Sequence, residues 1–396
     1  MVFKKVKRLI KGTYWNLNRI DVSESRLREN YRILSSLHSG VAVAPILKSN
    51  AYGHGIRIAG RVLERMNPPF FCVDSLYEGY ELLKAGIKKE ILIMGYTNPA
   101  NFVRKRLPFS YAVYDKETLR VIHEHQSGAS VHLFVDTGMR REGIPLEEFE
   151  DFAVYASTLS GVRIDGLMSH LGYAGNPEHP TTKMQIRNFN AAREILGKLN
   201  IKPKWIHFSN TGGFFHWDEL GGNLGNIARI GMAMYGICEE GDCGGVMPVL
   251  DFFTTLSQIK TLKKGEYIGY DFTFQAEKDM KIGILPAGYN EGIDRRLSNK
   301  GVVTIRGVRC PIVGKISMNI TAIDITDVQN PKIGEDVCVF SSDPFAENSV
   351  MNIANLCGVA PYEILVRIYP FTKRKLVDNG EFDKNEENVN TQNIKQ

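Results

Sequence analysis

The sequence predicts an α/β fold: a (β/α)8 TIM-type barrel followed by a C-terminal all-β domain. Between about residues 41 and 235, short apolar runs bounded by turn residues alternate with segments of helical periodicity, the pattern of repeated βα units. Beyond about residue 246 helical stretches become rare, and β-type runs follow one another through Gly-containing turns. The chain of 396 residues, 43% hydrophobic and 23% charged, is long enough to bury both cores, and its composition is that of a folded protein rather than a disordered or collagen-like one.

Residues 1–12 read as a basic arm. Lys4, Lys5, Lys7, Arg8 and Lys11 stand there without an acid, and they account for the whole formal net charge of +5. Setting these five aside leaves 44 cations against 44 acids in the remaining chain, so a general nucleic-acid surface is excluded. The arm interleaves its cations with Val2, Phe3, Val6, Leu9 and Ile10, which leaves a solvated arm, a membrane-surface arm or a weak targeting signal open. It has no continuous apolar run of the secretory type. Residues 13–245 then form the barrel. Its strands are expected at 41–47, 70–73, 91–94, 111–113, 131–135, 164–168, 205–208 and 227–234, each an apolar run ending at a turn signal. Helices are expected at 26–37, 56–65, 76–85, 117–125, 146–159 and 183–199. In such a barrel the chemistry sits at the C-terminal ends of the strands.

Residues 246–377 form the β-domain, with strands expected at 252–260, 281–285, 301–305, 309–313, 320–324 and 335–340 and one short helix near 351–356. Residues 378–396, rich in Asn, Glu and Gln, are expected to be a disordered tail. Six cysteines form no CxxC, and the pair Cys238 and Cys243 is too widely spaced for a zinc knuckle and lacks a nearby histidine, so no metal site is expected. The other four lie in apolar surroundings and read as buried thiols of a reducing, cytoplasmic compartment. No apolar run reaches the length of a membrane span, so no stable membrane insertion is expected.

Five constellations carry chemistry. VAVAPILKSNAYGHG, residues 41–55, is an apolar strand that delivers Lys48 to the barrel mouth, where partial burial makes a lysine a candidate Schiff-base amine. DTGMRREG, residues 136–143, follows the fifth strand and offers guanidinium groups able to grip a carboxylate; Arg140 is given no role. IARIGMAMYG, residues 227–236, pairs a strand arginine with a glycine turn whose amides can cradle phosphate. EYIGYDFTF, residues 266–274, places tyrosines in the β-domain. The fifth is PAGYNEGIDRRLSNKG, residues 286–301, with the VGKISMNITAIDIT that follows it.

KSNAYGHG resembles the K-A-N-A-Y-G-H-G motif of the alanine racemases, pyridoxal-phosphate enzymes of the barrel-plus-β-domain type, and the likeness runs from TYWNLNRIDVSESRLRENYR to about Arg374. The resemblance implies that Lys48 is the Schiff-base lysine and Tyr52 a phosphate-contacting tyrosine. It implies that Arg141 helps hold the substrate carboxylate and that Arg229 faces the pyridine nitrogen, with His170 of MSHL hydrogen-bonded towards it. Gly231, Met232 and Thr211 would supply phosphate contacts, and Tyr362 of PYEI another. Tyr270, with Thr273 in register, matches the opposite-face acid/base of the family, Tyr289 an entryway tyrosine, and Met318 the residue whose backbone touches the substrate carboxylate. The resemblance also implies a head-to-tail homodimer in which Tyr270 reaches the partner's site.

Three positions depart from the family pattern. Phe134 stands where many members carry a carbamylated lysine, leaving a bound anion or a different packing to orient Arg141. Asn319 replaces an aspartate after Met318, and Glu291 is the acid of the GYxDG block. The expected function is therefore a pyridoxal 5′-phosphate-dependent amino-acid racemase acting on a small amino acid, alanine first. A racemase for serine, lysine or a broader range, a non-catalytic cofactor carrier, a decarboxylase and a barrel aldolase are the alternatives. No cysteine block of the decarboxylase kind is present, and a carrier or aldolase leaves the β-domain motifs unexplained.

Overall fold

The structure is a computed structural model that describes residues 15–238 and 244–378. The basic arm, Cys243 and the tail beyond Asp378 lie outside the described residues. The chain divides into two compact units, Ser23–Val249 with the segment from Leu376, and Leu250–Lys375 with the segment that ends at Val22.

β1 (Arg19–Ser23) pairs antiparallel with a strand of the C-terminal unit and runs into α1 (Glu24–Leu37), whose N-cap Ser23 accepts from the Arg26 amide. The first unit is then built on eight parallel strands: β2 (Ala42–Pro45), β3 (Phe71–Val73), β4 (Ile91–Ile93), β5 (Ser110–Val113), β6 (Ala129–Asp136), β8 (Val162–Met168), β9 (Trp205–His207) and β10 (Ile227–Ile230). β7 (Ile144–Pro145) is a two-residue strand beside β6. The strands curl into a closed ring. An Ile46–Cys72 bridge links β2 to β3, β10 lies parallel to β2, and Asn226 and Arg229 amides donate to Ile206 and Ser209 carbonyls across the β9–β10 seam.

The helices between them follow from their caps and apolar stripes: α2 (Ile56–Glu64), α3 (Leu76–Lys84) with a Ser75/Glu78 capping box, α4 (Ala100–Arg104), α5 (Lys116–His125) capped by Asp115, α6 (Leu146–Thr158), α7 (Pro180–Lys198) with proline at its start, and α8 (Thr211–Phe215) capped by Asn210. Inside the ring, Ala44, Ile46, Phe70, Cys72, Leu92 and Ile227 form a closed apolar cluster, so the barrel is a packed core. The last strand ends earlier than the apolar run 227–234 predicts. Gly231 leaves the extended conformation, and Met232–Tyr235 form a 3-10 turn whose Tyr235 hydroxyl donates to the Ile46 carbonyl at 3.0 Å.

The second unit holds a six-stranded sheet in the order β17-β16-β19-β11-β1-β20, from β11 (Leu250–Thr255), β16 (Val302–Ile305), β17 (Val308–Pro311), β19 (Asp336–Phe340) and β20 (Lys373–Val377). A three-stranded antiparallel sheet joins β12 (Gln258–Leu262), β15 (Met280–Leu285) and β18 (Thr321–Asp324), and β13 (Tyr267–Ile268) pairs with β14 (Phe274–Gln275). Two helices follow, α9 (Val350–Cys357) and α10 (Pro361–Val366). Cys72, Cys310, Cys338 and Cys357 are free thiols, whereas Cys238 is disulfide-bonded. Among the described residues no helix is long and apolar enough to cross a membrane.

Candidate active site

The barrel brings its predicted residues to the C-terminal ends of its strands. Lys48 lies three residues past β2 and is half-buried. It opens a turn of unusual handedness: Ser49, Asn50, Ala51 and Tyr52 all have φ between 50° and 56°. None is glycine, and each left-handed residue costs about 1–2 kcal/mol, so the segment survives only because its surroundings fix it. The Gly53 and Gly55 amides donate to Ser49 and Asn50 carbonyls, the Ile56 amide donates to Asn50 Oδ1 at 2.9 Å, and the buried His54 ring stacks on Tyr235.

This turn carries Tyr52 over Gly231. A Cβ at residue 231 would lie 2.5 Å from Tyr52 Oη, so glycine is required there by close approach. The Gly231 amide in turn donates to Thr211 Oγ1 at 3.4 Å. Tyr52, Thr211, Gly231 and Met232 thus form a cradle of hydroxyls and amides at the end of β10, the composition that suits an oxyanion.

Arg229 lies in β10 and is only 2% exposed. Its Nη1 donates to His207 Nδ1 at 2.8 Å and to the His207 carbonyl at 2.7 Å; Nη2 donates to the Ser169 carbonyl at 2.6 Å and to His170 Nδ1 at 3.3 Å. A buried charge is tolerable only with such pairing. Because His207 Nδ1 accepts, its Nε2–H donates to His132 Nδ1 at 2.7 Å. Burial, followed by the charge of Arg229, pushes the His207 ring well below its ordinary pKa, and burial likewise brings His132 down to about 3. Both rings stay neutral, and burial brings Arg229 itself down to about 10. His170 falls to about 3, by burial first and then by the charges of Arg229, Arg141 and Lys48. Its Nδ1 accepts from Arg229, so the proton sits on Nε2.

His132 and His207 were not singled out in the sequence. The available signal was a polar residue inside each apolar strand, VHLFV and WIHF, together with Gly166 opposite His132 in β8. A Cβ at 166 would come within 2.1 Å of His132 Nδ1, so the glycine makes room for the ring.

Arg141 is exposed, and its Nε donates to Glu142 Oε2 at 2.5 Å. It lines one cleft with Phe134, Asp136, Met139, Ser169 and His170. Phe134 is buried against Ala112 and Met168, with Tyr114 packed beside them, so no charged group stands at that position.

In the C-terminal unit Tyr270 is 66% exposed on a short 3-10 turn, Tyr270–Phe272, in which Asp271 and Phe272 have positive φ. Asp271 pairs with Lys315, and the Asn299 side chain donates to Thr273 Oγ1, so the turn is anchored to the segment before Met318. Tyr289 and Asn290 amides donate to the Ser317 and Met318 carbonyls at 3.1 and 2.9 Å. Glu291 Oε1 accepts from the side chains of Asn290 and Asn319 at 2.9 and 2.7 Å, and Oε2 from the Gly288 amide at 2.8 Å. Tyr289, Met318 and, on α10, Tyr362 are all exposed.

A sequence model described as alanine racemase, N-terminal domain, matches residues 22–239, and one described as alanine racemase, C-terminal domain, matches residues 249–376. The chain belongs to the alanine racemase family. It is 34% identical over 370 residues to the alanine racemase of Sorangium cellulosum, covering 88% of this chain and 96% of that one. It is 31% identical to the alanine racemase of Borreliella burgdorferi over 91% of this chain and 97% of that one. Among solved structures, the alanine racemase of Clostridium difficile 630 superposes with a TM-score of 0.85 at 25% identity over 94% of this chain and 98% of its own, and that of E. faecalis with 0.82 at 26% over 92% and 99%. The two positions at which this alanine racemase family member departs from the pattern in its C-terminal unit, Glu291 and Asn319, are hydrogen-bonded to each other. A carboxylate and a neutral amide form a matched pair where two carboxylates would repel.

Proposed function

We propose that this protein is a pyridoxal 5′-phosphate-dependent racemase that interconverts L- and D-alanine in the cytoplasm as a head-to-tail homodimer, supplying D-alanine for the cell wall. The observation that carries the reading is the convergence of Lys48, a buried Arg229 and a glycine cradle at one end of the barrel. Two observations support the fit to the cofactor: the Tyr52 and Thr211 hydroxyls both meet the Gly231 turn, a polar lining suited to a phosphate, and the cation offered to the ring is already buried and fixed by hydrogen bonds. When bound, the cofactor withdraws electron density from the substrate α-carbon and makes its proton acidic.

The chain's own residues do the rest. Tyr52, Thr211, Gly231, Met232 and Tyr362 hold the phosphate. Arg229, fixed by four hydrogen bonds, presents a cation to the ring nitrogen and disfavours its protonation, which limits side reactions. Arg141 and the Met318 amide hold the substrate carboxylate, and Tyr289 lines the entry. Lys48 Nζ exchanges the α-proton on one face and Tyr270 Oη on the other, because a single immobile base returns the proton to its own side. The neutral His170, with its Nε2–H free of Arg229, serves as a hydrogen-bond donor within that network.

The test is incubation of the purified protein with each L-amino acid in deuterium oxide, following α-proton exchange and chirality. Exchange with inversion of alanine is expected. Exchange without inversion would leave one working base, and inversion of another amino acid in preference would assign the Glu291–Asn319 departure to substrate choice. No exchange, with cofactor bound, would leave a carrier.

A further inference from the structure

We propose that Glu78 is a positioning residue for Lys48, acting through the backbone of the left-handed turn that follows the lysine; this rests on the reading of Lys48 as the site's amine. Four successive non-glycine residues at positive φ do not hold themselves in place. Within the turn, Ala51 donates to the Leu47 carbonyl and Gly53 to the Ser49 carbonyl. The first amide of the turn, that of Ser49, finds its acceptor elsewhere: it donates to Glu78 Oε1 at 2.5 Å.

Glu78 sits in the first turn of α3, directly after the loop that leaves β3. Its other oxygen, Oε2, accepts from the Asp74 amide at 2.8 Å and the Ser75 amide at 3.3 Å, and its own amide donates to Ser75 Oγ. A capping box needs only the exchange with the N-cap residue. Here the same carboxylate spends its remaining oxygen on the peptide group that joins Lys48 to Ser49. That peptide plane sets the ψ of Lys48, and with it the direction in which the lysine side chain leaves the backbone. A charged acceptor is also the stronger one for this purpose. Glu78 therefore ties the end of β2 to the end of β3 at the one residue whose amine must be aimed.

The test compares Glu78→Ala, Glu78→Gln and Ser75→Ala in the cofactor-loaded protein. Ser75→Ala removes the helix cap but leaves the Ser49 contact, so it reports the purely structural cost. Amide hydrogen exchange of the segment 47–55 and steady-state kinetics with L-alanine are both measured. Glu78→Ala is expected to speed exchange in that segment about tenfold and to lower kcat about 10- to 100-fold, with KM changed less than about threefold, as misplacement of a reacting group does. Glu78→Gln, which keeps one acceptor oxygen, should fall between, and Ser75→Ala should leave both readouts within about twofold of the parent. The proposal is overturned if Glu78→Ala leaves exchange in 47–55 unchanged, or if Ser75→Ala reproduces its effects. Should the parent protein show no α-proton exchange, the racemase reading fails, while the hydrogen-exchange comparison still decides whether Glu78 holds the turn.

Discussion

Gly231→Ala isolates the cradle. The added methyl would lie 2.5 Å from Tyr52 Oη, 2.9 Å from Cζ and 3.2 Å from Cε2, whereas ordinary contact begins at 3.4 Å. The edge of the Tyr52 ring would have to retreat by about 0.9 Å, the difference between the first and last of these distances. It has little room to do so, because it packs against the barrel cluster and against Tyr235, with ring centroids 5.7 Å apart, and because its own backbone belongs to the left-handed turn. Overpacking of this kind costs about 1–3 kcal/mol. If the strain falls on the bound form, cofactor affinity drops about 5- to 150-fold. Equilibrium titration of cofactor-stripped protein measures it, with the melting temperature of the stripped protein read alongside to separate lost binding from lost stability. Adding Tyr52→Phe removes the nearest contact and should return part of any stability lost. Affinity and melting temperature within twofold and 1 °C of the parent, roughly the error of such measurements, would refute the steric reading of Gly231.

His207→Phe keeps a ring of similar size but takes an acceptor from Arg229 and a donor from His132, and should destabilise by about 2–4 kcal/mol in urea unfolding; parental stability would show that the relay does no structural work. Stability should also fall on acidification between about pH 6.5 and 4. His132 and His207 have folded pKa values below the unfolded one, so the unfolded chain takes up protons first, and each ring contributes a slope of about 1.4 kcal/mol per pH unit. The carboxylates with lowered pKa, such as Asp294 near 2, act at lower pH, so a flat profile in that window counts against neutral buried histidines. Asn319→Asp places a second carboxylate against Glu291, and with about 1 kcal/mol of repulsion KM for alanine should rise about fivefold at pH 8. Combining it with Glu291→Gln should reverse the change, and a double variant no better than the single one would sink the pairing argument. Tyr270→Phe should lose racemisation while keeping the absorbance of lysine-bound cofactor, and full retained activity would remove Tyr270 from the mechanism.

The parallel strands were legible because each is a continuous apolar run ended by a turn signal, the mark of strands buried on both faces. α4 and α8 were not, since five residues carry too little periodicity to separate from a loop. β1 falls within the stretch the sequence gives to the barrel, yet it pairs with β11; a strand of five residues carries no mark of its partner. At the site, the position of Lys48 could be read from the strand that precedes it. The handedness of the turn after it could not: Ser, Asn, Ala and Tyr give no glycine to announce four positive φ values, and although Gly53, Gly55 and Ile56 supply local hydrogen bonds, the acceptor of the turn's first amide, Glu78, is distant in sequence.

The relay behind Arg229 is where tertiary context adds most. A lone arginine in an apolar strand reads equally as a paired core residue or as a site cation. What pairs it in the fold favours the second. Among the described residues no carboxylate pairs with Arg229: its acceptors are two carbonyls and two imidazoles. Those imidazoles cannot take up a proton near neutral pH, because His170 lies near 3 and His207 well below its usual value. The network therefore satisfies the guanidinium's hydrogen bonds without cancelling its charge. A cation with satisfied donors and no counter-ion among the described residues keeps its field for whatever lies in front of it, and that field is what the proposed function asks of Arg229: attraction for a phosphate and a carboxylate, and a ring nitrogen that stays unprotonated.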